Sequence, residues 1–335
     1  MIFFDVTKAG RTGHRSGLMR VSVRLEQELG AAAKEVRWPD WNRAVTRDDW
    51  FLTAELFSEE ERPGVSEFIR KRSCHLAAIF HDAIPLRHPH ITWPQSVARH
   101  PGYMKLLAGF DRVWAVSEAS RRDLLEFWRW QGVSRPPPVE VLALGADFNG
   151  LARVATRTLP AGAPRLLCVG IFEPRKNQAF LLQVATELWD QGLEFELHLA
   201  GRVNPHFGPP IVARIKELRR RYPGLHYHEA PDDAALAALY AAARASVFPT
   251  LAEGCGLPLL ESLWMGVPCV CSDLPVLREN ADGGGCLAAA PNDLAAWREA
   301  LREVLTDAAL AVRLQNEATT RALPTWRETA ETLAG

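Results

Sequence analysis

The chain has 335 residues, enough for two domains, and 47% of them are hydrophobic while 24% are charged, a balance typical of globular proteins. A formal net charge of −1 argues against nucleic acid as a partner. The six cysteines form no C-x-x-C pair, which argues against a zinc centre or a disulfide framework and favours a reducing, cytoplasmic setting. No run approaches the roughly 18 apolar residues of a membrane span, and the first residues predict a strand rather than a signal peptide.

Short apolar runs alternate with helical patterns in the first half of the chain. An amphipathic helix, GLMRVSVRLEQELGAAA, begins at Gly17, and a second, EASRRDLLEFWRW, follows the plausible N-cap Ser117. Strands are predicted at residues 2–6, 75–80, 111–117 and 139–145. Such alternation, with glycine, proline and aspartate in the turns, predicts a parallel sheet covered on both faces.

Residues 149–165 lack a regular period and are typical of a linker, and a second alternation follows them. Its strands are predicted at 165–171, 195–201, 225–230, 245–250 and 267–273, and its helices at 177–191, 209–221, 232–243, 258–265 and 292–305. We therefore predict an α/β protein with two doubly wound domains facing each other across a cleft. Ligands of such sheets bind beyond the carboxyl ends of the strands.

The stretch TLAEGCGLPLLESL (250–263) carries the clearest site pattern. Pro258 suits the first turn of a helix, where its missing N–H costs nothing. Glycines before it let a ligand approach the backbone, and the N–H groups near Gly256 and Leu257 would form an anion site at the helix start.

Two carboxylates flank this anion site, Glu253 in the loop and Glu261 about one turn into the helix. A carboxylate accepts two hydroxyl hydrogen bonds, so the pair fits a sugar nucleotide, with Glu253 on the sugar and Glu261 on the ribose. The alternative is that Glu253 caps the helix and Glu261 is a solvated acid that favours the helix dipole.

Arg175 and Lys176 lie in GIFEPRKNQ (170–178), just after a strand of the same sheet. They would neutralise a departing diphosphate, arginine as a bidentate donor and lysine as a point charge. The alternative is a solvated basic pair, although cations are unfavourable near a helix start.

The first half offers weaker candidates. In TGHRSGLMR (12–20), Gly13 and Gly17 do not match the G-x-G-x-x-G spacing of dinucleotide sites, but a glycine at a helix start still admits a substrate. His81 follows a strand, where it would either contact a transferred sugar, position a proton or simply be a satisfied turn residue.

Together these motifs resemble glycosyltransferase family four, the retaining GT-B enzymes. ARASVFPTLAEGCGLPLLESLWMGVPCVCSD resembles that family's E-x7-E core, with Cys255 at a usual phenylalanine, and GIFEPRKN resembles its phosphate-binding segment. FHDAIPLRHP, VWAVSEASRRDL and SGLMRVSVRLEQEL resemble the amino-terminal domain of its bacterial mannosyltransferase-like branch. TWRETAETL (325–333) resembles the family's terminal helix.

The resemblance implies two Rossmann-like domains, 1–155 on the acceptor side and 156–318 for the nucleotide sugar, with 319–335 crossing back to the first. It implies that Glu253 binds the donor sugar and Glu261 the ribose, while Arg175 and Lys176 bind the diphosphate. It further implies that Gly17 lies against the phosphate, that His81 faces the sugar, and that no metal or cofactor is required.

The implied reaction is hexose transfer with retention from a nucleoside-diphosphate sugar, GDP-mannose favoured, to a hydroxyl of a glycan or lipid-linked acceptor in polysaccharide or glycoconjugate synthesis. A non-catalytic nucleotide- or glycan-binding relative and a sugar-nucleotide epimerase of GT-B fold remain alternatives. The Trp-rich stretch LLEFWRWQ (124–131) fits either a peripheral contact with the inner membrane face or core packing with a solvated face.

Overall fold

The computed structural model describes residues 1–9, 17–38 and 45–335. Contacts divide the chain into two compact units, the first made of residues 1–145 and 324–335 and the second of residues 146–323. Each unit holds a six-stranded sheet in which the paired strands run parallel. The predicted α/β class is confirmed.

The sheet of unit 1 has the order β2-β1-β3-β4-β5-β6. Winding from β1 proceeds first to one side and then to the other, so the topological switch point lies between β1 and β3. The strands are β1 (Ile2–Asp5), β2 (Ala33–Val36), β3 (Trp50–Thr53), β4 (His75–Phe80), β5 (Arg112–Ala115) and β6 (Val139–Val141). The helices are α1 (Gly17–Leu29), α2 (Val65–Lys71), α3 (Ile84–Arg87), α4 (Pro94–Leu107), α5 (Glu118–Trp130) and α13 (Trp326–Ala334).

The sheet of unit 2 has the order β12-β11-β10-β7-β8-β9, which places its switch point between β7 and β10. The strands are β7 (Arg165–Val169), β8 (Glu196–Gly201), β9 (Leu225–Glu229), β10 (Ala245–Phe248), β11 (Cys269–Ser272) and β12 (Cys286–Ala289). The helices are α6 (Gln178–Asp190), α7 (Gly208–Leu218), α8 (Asp233–Ala242), α9 (Leu257–Trp264), α10 (Pro275–Ala281), α11 (Leu294–Thr306) and α12 (Ala308–Thr320).

Central strands of unit 2 are buried on both faces, as parallel sheets require. All four residues of β10 and of β11 are buried, including Cys269 and Cys271. The two cysteines therefore serve packing, and within the described part of the chain every cysteine is a free thiol.

The unit boundaries differ from the predicted ones because residues 146–157 bond into unit 2. Val154 N–H donates to the Trp264 carbonyl, and Arg153 donates to the carbonyl of Ala318. The boundary therefore falls after residue 145 rather than 155, and α12 extends unit 2 through residue 323 rather than 318.

The last helix, α13, begins at Trp326 and belongs to unit 1, where it packs against α1. Thr325 and Glu328 form a reciprocal capping box that fixes where it starts.

Sequence reasoning missed the three strands β2, β3 and β12. Of these, β3 lies beside β1 in the middle of the first sheet.

Helix α5 mostly serves the core of unit 1. Leu124, Phe127 and Trp128 are buried, whereas the side chain of Trp130 is 77% exposed. Core packing thus accounts for the apolar residues of the Trp-rich stretch other than Trp130. Among the helices of the described residues, none is long and apolar enough to cross a bilayer.

Candidate active site at the switch point of the second sheet

Two loops meet at the carboxyl edge of the second sheet. One follows β7 and the other follows β10, its hydrogen-bonded neighbour. Leu251 N–H donates to the Arg175 carbonyl at 2.8 Å, and Thr250 Oγ1 lies 3.1 Å from the same oxygen. Because the chain winds away from β7 and β10 in opposite directions, this edge is where a doubly wound sheet binds its ligand.

Glu253 forms the centre of the site. Its Oε1 accepts hydrogen bonds from Lys176 Nζ at 2.5 Å, Arg175 Nη1 at 3.1 Å and Thr250 Oγ1 at 2.7 Å. Among the described residues, none donates a hydrogen bond to Oε2. The structure therefore brings together the three predicted residues Lys176, Arg175 and Glu253, and leaves one carboxylate oxygen for a hydroxyl.

Burial and charge both shift the pKa values of this pair. Burial disfavours the Lys176 ammonium and lowers its pKa, and Arg175 adds to the effect, while Glu253 opposes it. Burial also opposes ionisation of Glu253, but the two cations outweigh it and lower the pKa of that carboxyl. Lys176 thus gives up its proton more readily than an exposed lysine, and Glu253 takes up a proton less readily than an exposed glutamate.

Glu173 holds the other end of the arginine. Its Oε1 accepts from Arg175 Nε at 3.0 Å and Nη2 at 2.8 Å, and its Oε2 accepts from Asn204 Nδ2 at 3.2 Å. Two cations thus face two carboxylates, and the side chains are preorganised before a ligand arrives. The positive charges of Lys176 and Arg175 are already balanced by the two carboxylates. An entering anion would therefore interact with the two cations alongside Glu253.

Helix α9 points its first turn at this edge. Gly256 precedes it with φ = 88°, and among the described residues no side chain caps the helix there. A Cβ at Gly256 would lie 2.6 Å from Leu277 Cδ2, so the backbone itself requires glycine. Pro258 has no N–H, and the N–H groups of Leu259 and Leu260 donate to the Gly256 carbonyl, so in this first turn the Leu257 N–H is left to meet an anion.

Burial decides between the two interpretations of the glutamates. Glu261, five residues into α9, is buried at 4% exposure. A solvated first-turn acid is therefore wrong for Glu261, and a helix cap is wrong for Glu253. Leu257, the first residue of α9, is also buried.

His81 lies in unit 1, directly after β4, and is buried. Its Nε2 lies 2.7 Å from the Ala54 carbonyl, and burial lowers the pKa of the ring. A carbonyl only accepts, so the neutral ring carries its proton on Nε2 and its lone pair on Nδ1. His81 can therefore accept a hydrogen bond from a sugar hydroxyl at Nδ1.

Gly17 is also in unit 1, where it begins α1. A Cβ added at Gly17 would meet none of the described atoms within 4 Å, so packing among the described residues gives no reason for glycine. Gly13 lies outside the described residues.

Sequence reasoning missed a charge network at the switch point of unit 1. Arg62, 1% exposed, contacts Asp5 Oδ2 and Glu55 Oε2, each at 2.6 Å. Glu55 also accepts the backbone N–H groups of Lys8 and Ala9. Because β3 was missed, the strand-end position of Glu55 went unrecognised, and Arg62 sits in the charged run SEEERPG that predicts exposure.

Comparison with known proteins identifies the second unit. Residues 163–307 match the family described as "Glycosyl transferases group 1". Unit 2 is a group 1 glycosyl transferase domain. The matched range covers both loops of the site and the whole of α9, so the recognised glycosyltransferase family is confirmed.

Relatives extend the likeness beyond this domain. The chain is 31% identical over 254 residues to the serotype-specific mannosyltransferase WbdA of Escherichia coli, covering 69% of this chain and 29% of that protein. It is 36% identical over 203 residues to the O-antigen chain mannosyltransferase B of Escherichia coli, covering 58% and 51%. The chain thus spans about a third to a half of the length of these relatives.

Solved structures share the fold of the chain that holds this group 1 glycosyl transferase domain. Anabaena HepE in complex with UDP and glucose aligns with a TM-score of 0.72 at 15% identity, covering 99% of this chain and 98% of that one. Sucrose-phosphate synthase from Thermosynechococcus elongatus aligns with a TM-score of 0.71 at 19% identity, covering 99% and 96%.

Proposed function

We propose that this protein is a retaining hexosyltransferase that moves a sugar from a nucleoside-diphosphate donor to a hydroxyl of a glycan or lipid-linked acceptor. The observation that carries the proposal is the paired Lys176 and Arg175, held on Glu253 beside the start of α9 at a switch point. No metal is required in this scheme, because two cations and a helix start supply the positive charge.

Catalysis follows from charge development on the leaving group. When the glycosidic bond to the donor phosphate breaks, negative charge builds on the diphosphate. Lys176, Arg175 and the N–H of Leu257 would stabilise that charge without reorganising, since Glu253 and Glu173 already orient the cations. Glu261 would hold the ribose.

Glu253 is a poor covalent nucleophile in this arrangement. Its Oε1 already accepts three hydrogen bonds and its negative charge is shared by two cations. We assign it to the hydroxyls of the donor sugar. Retention then proceeds on the front face, where the departing phosphate oxygen accepts the proton of the acceptor hydroxyl.

His81 and Gly17 keep the roles that the resemblance implies. The neutral His81 ring would accept a sugar hydroxyl at Nδ1, and Gly17 would leave room for the donor phosphate. Both assignments rest on chemistry within unit 1, the burial and tautomer of His81 and the open space at Gly17.

GDP-mannose is the favoured donor, because the curated relatives are named mannosyltransferases. UDP-sugars follow, because a structural neighbour was solved with UDP-glucose. The O-antigen relative favours a polysaccharide acceptor. We place the reaction in the cytoplasm, where the exposed Trp130 would contact the inner membrane face if the acceptor is lipid-linked.

Mass spectrometry of donor incubations tests the proposal. GDP-mannose, UDP-glucose, UDP-galactose and dTDP-glucose are incubated with the protein, with and without mannose-containing oligosaccharides. We expect slow hydrolysis of one donor and transfer to an acceptor with the anomeric configuration kept. An isomerised donor would establish the epimerase alternative, and an unchanged donor across the panel would support the non-catalytic one.

A further inference from the structure

A cluster of imidazoles lies on one face of strands β8 and β9, away from the candidate active site. Side chains two apart on a strand share a face, and His198 pairs in register with His226. Glu196, His198, His226 and His228 therefore project together, opposite the core residues Leu197, Leu199 and Leu225. All four are half-buried.

The distances within the cluster are short. One ligand atom from each of Glu196, His198 and His226 lies within 4.8 Å of the other two. His198 Nε2 lies 3.1 Å from Glu196 Oε2, and the rings of His198 and His226 stack with centroids 4.4 Å apart.

We propose that Glu196, His198 and His226 bind a divalent transition-metal ion, Zn²⁺ in the first instance, with water completing the coordination. Two imidazoles and one carboxylate are a donor set that Zn²⁺ accepts in proteins. The inference does not rest on the proposed transferase activity.

The distances between these side chains in the structure favour Glu196, His198 and His226 as the set of ligands. Tetrahedral bonds of about 2.1 Å separate neighbouring ligand atoms by about 3.4 Å. His198 Nε2 and Glu196 Oε2 already lie 3.1 Å apart, so an ion replacing the proton between them needs only a small opening. The His226 ring must rotate about its Cβ–Cγ bond so that its lone pair converges on the ion.

Outer partners of the ligands are already in place. His198 Nδ1 lies 3.0 Å from His228 Nε2, which leaves His198 Nε2 for the ion and fixes its ring. Arg165 Nε lies 2.6 Å from Glu196 Oε2 and would orient the carboxylate. Metal sites in proteins hold their ligands through such second contacts.

An ion at this site would link two neighbouring strands, because Glu196 and His198 lie on β8 and His226 lies on β9. β9 is the edge strand of the sheet. A ligand that binds the folded but not the unfolded chain raises the melting temperature. We therefore expect Zn²⁺ to stabilise unit 2 and Mg²⁺ not to, because Mg²⁺ prefers oxygen ligands.

Binding by the whole chain tests the proposal. Zn²⁺ affinity is measured by competition with a chromophoric chelator, and Co²⁺ is substituted to read coordination from its visible absorption. We expect one tight site per chain, a spectrum of four- or five-coordinate Co²⁺, and a higher melting temperature with Zn²⁺. An octahedral aquo-like spectrum, or no binding above the chelator background, overturns the proposal without any variant.

Three histidine variants test which residues contribute to the affinity for Zn²⁺. His226→Gln removes a ligand and is expected to weaken Zn²⁺ binding by about 100-fold or more, and His228→Gln, which removes an outer partner, by about 10-fold. His206→Gln alters an exposed histidine outside the cluster and should leave affinity unchanged. Circular dichroism without metal confirms that each variant is folded. Equal loss in all three, or none in His226→Gln, contradicts the assignment.

Discussion

The two sheets place charge at their switch points in opposite ways. In unit 1, Arg62 is 1% exposed and enclosed by Asp5 and Glu55. In unit 2, the side chains of Lys176 and Arg175 are 10% and 22% exposed. The first network is closed, whereas the second leaves Arg175 partly exposed and the largely buried Lys176 in slight contact with solvent, beside the start of α9.

This difference separates a structural network from a binding site that uses similar residues. Arg62 neutralises acids that hold the loop after β1 through the N–H groups of Lys8 and Ala9. In the proposed function, Lys176 and Arg175 are held by acids so that they meet an anion from solvent. The same position in the fold would then serve order in one unit and chemistry in the other.

Loss of Arg62 should have the largest effect on stability. Arg62→Met leaves two buried carboxylates without their cation and is expected to cost about 3–5 kcal/mol in the free energy of unfolding. Denaturant titration measures this loss of stability, and Arg70→Met, at an exposed position of α2, is the control. Adding Glu55→Gln to Arg62→Met should restore part of the loss.

The same variant has a defined pH dependence. Burial and Asp5 raise the pKa of Glu55 even with Arg62 present. Without Arg62 the pKa rises further, so the variant regains stability as pH falls through that raised pKa and the carboxyl takes up a proton. Full stability of Arg62→Met together with lost turnover would break the comparison, because it would make unit 1 the ligand site.

Loss of Lys176 should have the largest effect on catalysis. Lys176→Ala removes a charged donor to the leaving diphosphate and is expected to lower kcat by about 100- to 1,000-fold. Steady-state transfer assays measure it, and Lys216→Ala, on the exposed face of α7, is the control. Near-normal turnover in Lys176→Ala would refute its assignment.

Gly17 offers a smaller test. Gly17→Ala should leave the melting temperature nearly unchanged, because its Cβ meets none of the described atoms, yet lower kcat/KM by about 10-fold if a donor lies against the backbone. Gly102→Ala, at another open glycine, is the matched control and should keep full activity. Equal activity in the two variants would remove Gly17 from the site.

The smallest effect is on the alkaline side of the pH profile. Lys176 has a lowered pKa, so the cation is lost at a pH below the usual lysine value of about 10.4. The alkaline limb of kcat/KM should fall below that value, and Lys176→Arg should move it upward because a guanidinium stays charged. If kcat/KM falls at the same alkaline pH in the native chain and in Lys176→Arg, a group other than Lys176 titrates.

The sequence predicts the site of unit 2 well because its signals are local. Strand ends followed by glycine, proline and charge located Arg175, Lys176, Glu253 and Glu261 at one sheet edge. The ion pairs among them and the burial of Glu261 are visible only in the tertiary structure. The sequence of one loop does not show which distant residues pack against it.

The network of unit 1 could not be predicted in the same way. β3 spans only four residues, and Arg62 sits in a charged run that resembles a solvated surface. The histidine cluster had a signal that went unused, the alternation E-x-H at 196–198 and H-x-H at 226–228 on neighbouring strands. Only the register shows that these pairs adjoin.

Calorimetric titration with a nucleoside diphosphate and its parent nucleoside tests the central claim most directly. GDP and guanosine, and UDP and uridine, are titrated into the native chain and into Lys176→Ala. The diphosphate should bind far more tightly than the nucleoside to the native chain, and most of that difference should vanish in the variant. An undiminished difference in Lys176→Ala would place the pyrophosphate elsewhere and contradict the account.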